Sequence, residues 1–505
     1  MRRALGMLLA VLMLTVGFMT AGAEGLKAPD YVMEGYDGSS AGHDWETNLF
    51  FQRMQEDTGI SFEFRQFSEE SQWKERKEAL LQGENLPDVL FKAGLTDEET
   101  LAMAENDLLL DLTPYLEEYA PDLWKLLEAH PEWRKAITLP DGTIRALPSI
   151  NELPANNLIW INQTWLNNLR LKMPENAEEL TETLRAFKTG DPNRNGKADE
   201  VPLSVLGMWD LRFLGHAFGV VQNDYYIAQK DGKAVSLLTT ENNRSFLNWL
   251  HQLWAEGLLD HTCFSTADSL RQVTDAKAVM TYGVFLSSSP LTVVPTEAMD
   301  QYTALAPLTY EGGQIYRDLL GPLTRGTFAL LKNCPSPEKM VAWVNRLYTE
   351  EGSILIQVGR ENEEYMWTED GTWEWMQDLQ TVANEVLPNA TLSDGGISPG
   401  IITLSFQEKY ADNRTGNLIA GMKLVQDVSV LPFPQVMMTA EDMKTLALLQ
   451  TEIAPYAERK MAEFVTGDTP LDEAGWKAFA EDLEKRGLSR MTALWQKYVT
   501  EEGGD

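Results

Sequence analysis

The sequence predicts an α/β fold whose lobes exchange chain segments and which ends in a helical C-terminal region. Three observations carry this reading. Helix-period and strand-period stretches alternate from Trp45 onward, the 505 residues contain no linker or internal repeat, and the C-terminal region keeps a helical apolar spacing. Trp45, Leu49, Phe50 and Met54 share one helical face, which Gly59 ends. Ile60, Phe62 and Phe64 then alternate as a half-buried strand. Trp73 to Leu81 reads as a second helix, stopped near Gly83, and Leu86 to Phe91 as a second strand. Thr113-Pro114 supplies an N-cap and a first-turn proline. Asn176 with Glu179 resembles a capping box ahead of Leu180, Leu184 and Phe187, with Gly190 closing that helix. Phe246, Leu250, Leu253 and Trp254 fall at helical spacing before Gly257, and Ser336-Pro337 opens a helix carrying Met340, Trp343, Val344 and Leu347. Trp476, Phe479 and Leu483, then Met491, Leu494, Trp495 and Tyr498, mark the C-terminal helices. Core packing is the preferred role of all these aromatics.

With 44% hydrophobic and 23% charged residues the chain buries a substantial core and is not a disordered sequence. Its 76 acidic against 42 basic residues give a formal charge of -34. Such a surface repels phosphate backbones and anionic lipid, which argues against nucleic-acid partners and a polybasic membrane anchor. Two cysteines rule out a disulfide scaffold, and five histidines, none closely spaced, leave no HExxH zinc pattern. A pairing of Cys263 with Cys334 stays open on the sequence. Fifteen tryptophans exceed what a core requires.

Residues 1–23 read as a secretory signal: Arg2 and Arg3, an apolar run from Leu5 to Phe18, and Ala21-Gly22-Ala23 as the cleavage pattern. The run is too short for a stable span, and its removal makes the chain two charges more negative. An exported protein is expected, located outside the cell, in the envelope or in a periplasm. No cysteine near the cut offers a lipid-anchor site.

The strongest local motif spans 190–203. Asp191, Asn193, Asn195 and Gly196 match the D-x-[DN]-x-[DN]-G opening of an EF-hand loop. Alternate side chains of a curled loop point inward, so their oxygens converge on one hard cation. Gly196 permits the turn that brings in the Lys197 carbonyl, and Asp199 and Glu200 complete the shell. The twelfth position departs from the pattern, being Pro202 rather than a bidentate glutamate. A structural calcium pinning the exit of the 176–189 helix is expected.

Signals for catalysis are weak. Gly396-Ile397-Ser398-Pro399-Gly400 spells G-x-S-x-G, yet an oxyanion hole needs the N–H of the residue after the serine, and proline has none. Cys263 and His261 lie too close along the chain to converge. No acid pair can be nominated among 76 carboxylates.

The order of several segments nonetheless resembles one family. They are LLQGENLPDVLF (80–91), LLDLTPYLEEYAPDL (109–123), LPDGTIRALP (139–148) and the long stretch 160–203, followed by WAEGLLD (254–260), SPEKMVAWVNRLYTEEG (336–352), GRENEEYMW (359–367) and KMAEFVTGDTPLDEAGW (460–476). Together they are similar to the extracellular solute-binding proteins of ABC importers, in the carbohydrate-binding group that includes LipO-like and alginate-oligosaccharide-binding proteins. Two departures stand out: Thr20-Ala21-Gly22 replaces the usual lipobox cysteine, and Trp160 replaces a common arginine.

The resemblance implies a class II periplasmic-binding-protein-like fold. Its lobes would be 24–150 plus 305–360 and 151–304 plus 361–505, with crossings near Ile150, near Leu305 and after Gly359. It implies a monomeric receptor that closes on an oligosaccharide and delivers it to ABC permease subunits, without catalysis, and it carries the calcium loop over. Sugars offer C–H faces to stack on and hydroxyls to bond, so the expected cleft residues are Trp160, Trp209, Tyr225, Tyr226, Tyr282, Trp367 and Trp373. Their polar partners would be Glu152, Asp210, Arg360 and Glu361. The competing reading is a secreted lyase or hydrolase using the same cleft.

Overall fold

The computed structural model describes residues 29–38, 44–264, 282–318, 321–392, 397–411 and 413–500; the expected signal segment and Gly396 lie outside the described residues. Strands β1 (Tyr31–Tyr36), β2 (Phe62–Phe67), β3 (Val89–Phe91) and β4 (Leu147–Asn151) begin a first sheet. Strands β5 (Leu158–Asn162), β6 (Val201–Ser204), β7 (Tyr282–Ser287) and β8 (Tyr302–Ala304) make a second, and β9 (Leu323–Leu330) and β10 (Gly400–Ile402) return to the first. The first sheet runs β10-β4-β9-β3-β1-β2 and the second β8-β5-β7-β6. In the first, β9 alone is antiparallel to its neighbours.

Helices cover both faces of the first sheet. Phe50, Leu123 and Trp343 pack on one side and Trp73, Leu80 and Met103 on the other. The second sheet shares a core with Phe187, Leu250, Phe464, Phe479 and Met491, so the C-terminal helices belong to it. Local chemistry explains most boundaries. Asn48 accepts from the Phe50 amide at the start of Leu49–Thr58, and Gly59 ends that helix at φ 70°. Asn176 accepts from the Glu179 amide at 2.9 Å, while the Glu179 carboxylate reaches the Glu175 amide instead of completing a reciprocal box. Thr113 lies inside its helix rather than capping it, and its hydroxyl accepts from the Ile144 amide.

Among the described residues the chain passes between the two cores three times. Ile150 lies in the first and Leu153 in the second, Tyr316 in the second and Leu323 in the first, and Ile401 in the first with Leu404 against the second. The second passage therefore comes after Leu305, because β8 adds to the edge of β5 and keeps Leu305 and Leu308 in the second core. The third comes well after Gly359, because β10 extends the first sheet beside β4. The passages lie side by side: Asn151 donates to the Pro322 carbonyl at 2.8 Å and Glu152 to that of Ile402 at 3.1 Å. Cys263 and Cys334 are buried free thiols in different cores, so they do not pair. Among the described residues no helix is long and apolar enough to cross a membrane.

Candidate functional site

In open α/β sheets ligands sit outside the carboxyl ends of the strands, and here those ends meet at the passages. β6 runs into the helix Met208–Leu214, which leaves Trp209 39% exposed, edge-on to Phe213 at 5.3 Å. Asp210 turns inward and accepts from Asn157 Nδ2 at 3.0 Å and the Leu206 amide at 2.7 Å. Burial raises its carboxyl pKa, against the pull of those two bonds. His216 links the same region to the segment that precedes the second passage: Nδ1 donates to the Phe213 carbonyl at 2.6 Å and Nε2 accepts from the Leu308 amide at 2.8 Å. Tyr316 donates to the Asn157 carbonyl at 2.6 Å. The Trp209 helix is thus fastened beside the first passage through Asp210 and Asn157.

Beside it lies an arginine pair that sequence reasoning missed. Arg317 and Arg212 are buried and both reach Asp224 Oδ1, at 2.9 and 3.4 Å. Arg317 also lies over the Phe213 ring and Arg212 over that of Tyr226. The first lobe contributes Arg325, whose Nη2 holds Asp97 at 2.6 Å and whose Nη1 reaches the Val436 carbonyl of the other lobe at 3.3 Å. Tyr225 registers the meeting of the lobes: burial raises its phenol pKa, and Asp224, then Glu98 and Asp97 from the first lobe, add to it.

A cavity of about 380 Å³ opens where the passages run, walled by Trp133 of the first lobe, Glu152 and Asn156 of the first passage, Asp318 of the second, and Met422 and Gln426 of the second lobe. Trp133 stacks on His130 at 3.7 Å, a platform that helical periodicity concealed because a proline starts a new helix at 131.

The expected cleft residues separate into groups. Glu152 walls the cavity, Asp210 bonds Asn157 beside the first passage, Tyr225 lies near Glu98 and Asp97 of the first lobe, and Trp209 is exposed next to Asp210 without being among the residues that wall the cavity. Trp160 does not serve a cleft: it is 1% exposed in the centre of the second sheet, with Nε1 donating to the Ser287 carbonyl. Tyr226 and Tyr282 are core residues as well. Arg360 faces Glu56 and Asp57 on the outer helix of the first lobe, and Glu361 is exposed beside it. Trp367 and Trp373 form a small aromatic cluster with Phe406, in which Trp373 stacks on Phe406 at 4.7 Å and donates Nε1 to its carbonyl. Those two rings brace the chain just after the third passage.

The 190–203 loop lies at the opposite end of β6. Asp191 accepts from the Asn195 and Gly196 amides, Asn195 Oδ1 accepts from the Lys197 amide at 2.7 Å, and Asp199 accepts from the side-chain amides of Asn193 and Asn195. Glu200 Oε1 is buried without a partner, and burial, with Asp199 and Asp191 beside it, raises the Glu200 pKa. The asparagine amides stand between the carboxylates, and no ready group of three metal-binding side chains forms among the described residues. An oxygen-rich loop with one orphaned buried carboxylate oxygen fits a hard cation.

No family model matches the chain. It is similar to the fructooligosaccharide ABC transporter substrate-binding protein FusA of Streptococcus pneumoniae, 26% identical over 483 residues covering 89% of this chain and 86% of FusA. The solved structure of FusA in complex with kestose matches with a TM-score of 0.71 at 24% identity, covering 93% of this chain and 98% of that one. An extracellular solute-binding protein from Bifidobacterium longum subsp. infantis matches with a TM-score of 0.78 at 21% identity, covering 93% and 98%. In sequence and in fold, the chain is similar to substrate-binding proteins of ABC transporters.

Proposed function

We propose that the protein is the carbohydrate-binding component of an ABC importer, which closes its two lobes on an oligosaccharide and carries out no chemistry on it. The observation that supports this most is the coincidence of a relative matched across nearly the whole of both chains with three hydrogen-bonded passages between two cores. Short paired passages resist sliding and shear but permit bending, so the lobes move as rigid bodies. A sugar touching both walls favours the closed population, and a permease reads that shape. The protein acts as an exported monomer, consistent with the signal-like segment 1–23.

The 190–203 loop holds calcium through Asp191, Asn193, Asn195, the Lys197 carbonyl, Asp199 and Glu200. The ion supplies positive charge that offsets three neighbouring carboxylates, far from the cleft. A structure of FusA as an EF-hand mutant with fructo-nystose has been solved, which supports looking for a cation in this type of loop.

The deciding experiment screens neutral and acidic oligosaccharides by thermal shift and assays the same mixtures for new reducing ends. A ligand that raises the melting temperature and is recovered intact supports a receptor. Accumulating product would reverse the conclusion in favour of a glycan-active enzyme.

A further inference from the structure

We infer that Asp224 is the residue by which the cleft recognises its sugar, and that it selects a neutral saccharide through hydroxyl donors rather than a uronate through its carboxylate. The inference rests on the receptor reading and deepens it. Asp224 stands 55% exposed in its side chain, yet its Oδ1 is gripped by two buried guanidinium groups. Arg317 is 4% and Arg212 7% exposed. Among the described residues the second carboxylate oxygen, Oδ2, has no hydrogen-bond partner. The two arginines therefore act as positioning residues: they fix the carboxylate rotamer while its free oxygen faces outward.

Both guanidinium groups lie buried behind the exposed Asp224 carboxylate. Their remaining groups, Nε and Nη1 of each, are buried and unpartnered, and the side-chain oxygens of Gln222 and Gln450 are buried and unpartnered too. Gln450 Nε2 donates to the Asp224 backbone carbonyl, which places it in the same cluster. Unmade buried hydrogen bonds cost stability, so a fold that keeps several around one exposed carboxylate is arranged for something other than packing. Phe213 joins this cluster to the exposed Trp209, since it touches both the Arg317 guanidinium at 5.2 Å and the Trp209 ring at 5.3 Å. An apolar plate and a fixed acceptor on one lobe end suit a sugar ring, which offers a C–H face and hydroxyl donors. A uronate brings negative charge against Asp224, and Glu98 and Asp97, which act on neighbouring Tyr225, add to the repulsion.

The test is calorimetric titration of the mature protein with kestose, maltotriose, xylotriose and lacto-N-tetraose, against trigalacturonate and an alginate trimer. The expected result is binding of at least one neutral sugar, no tighter binding of either uronate, and a loss of about ten- to a hundredfold in affinity for Asp224→Asn. Asp224→Ala is run beside it, and a thermal melt of each variant separates lost folding from lost binding. If a neutral sugar binds folded Asp224→Asn as well as the parent, the assignment of Asp224 fails while the receptor reading stands. Tighter binding of a uronate by the unaltered protein overturns the neutral class whether or not a variant folds. If no saccharide binds, the receptor reading fails, and this inference with it.

Discussion

Trp160 and Trp209 show how one residue type takes two roles under different surroundings. Trp160 is enclosed by the second sheet and its indole N–H is satisfied, so Trp160→Ala is expected to cost about 3–5 kcal/mol in urea unfolding. Trp209 keeps a large exposed face. Trp209→Ala should leave stability nearly unchanged and weaken the saccharide by about tenfold or more in calorimetry. His216 gives a pH prediction. Burial holds its imidazole pKa down to about 4, below the ordinary 6.5. The unfolded chain therefore takes up the proton first, so this contribution is complete above pH 6.5 and is lost as pH falls toward 4, by about 3 kcal/mol at most. His216→Gln should be less stable than the parent at pH 7 and should lose less between pH 6.5 and 4; equal slopes for both proteins would contradict this account.

At the scale of elements, the oxygen-rich loop 190–200 joins the end of the Ala177–Thr189 helix to the start of β6, while Trp209 follows the far end of that strand. The Pro192 carbonyl in the loop accepts from Asn168 Nδ2 at 2.8 Å, so the loop also fastens the Gln163–Leu169 helix. Removing a cation here releases packing at one end of the strand without touching the cleft. EDTA is therefore expected to lower the melting temperature by several degrees and change saccharide affinity by less than about threefold, with added calcium restoring the melt. A chelator that abolishes sugar binding while the protein stays folded would move the ion into the functional site. The same scale explains the aromatic ribbon 365–375, whose Trp373 stacks on Phe406 and Tyr410. It clamps the chain where it leaves the first lobe, which gives these tryptophans a reason to exist without a ligand.

For the molecule as a whole, two cores joined by three short passages make bending the softest motion. Binding should appear in small-angle scattering as a smaller radius of gyration at saturating saccharide, together with a stabilisation of about 2.7 kcal/mol at a hundredfold excess over Kd. Stabilisation without compaction would point to a ligand held by one lobe alone. Two hydrogen bonds already bridge the lobes, Arg325 to the Val436 carbonyl at 3.3 Å and Gln435 to the Leu323 carbonyl at 3.2 Å.

The sequence alone determined the α/β class, most helix and strand positions, the oxygen-bearing loop at 191–200 and the likeness to ABC receptors. These depend on neighbours within a turn or two, where side-chain spacing, glycine and capping residues act directly. It did not determine where the chain changes lobes, because β8 and β10 are edge strands of three residues each, and such additions leave no periodic trace. Nor did it separate exposed tryptophans from core ones, or bring Arg212, Asp224 and Arg317 together. Burial and the convergence of residues about a hundred positions apart belong to the packed fold, and only the tertiary structure decides them.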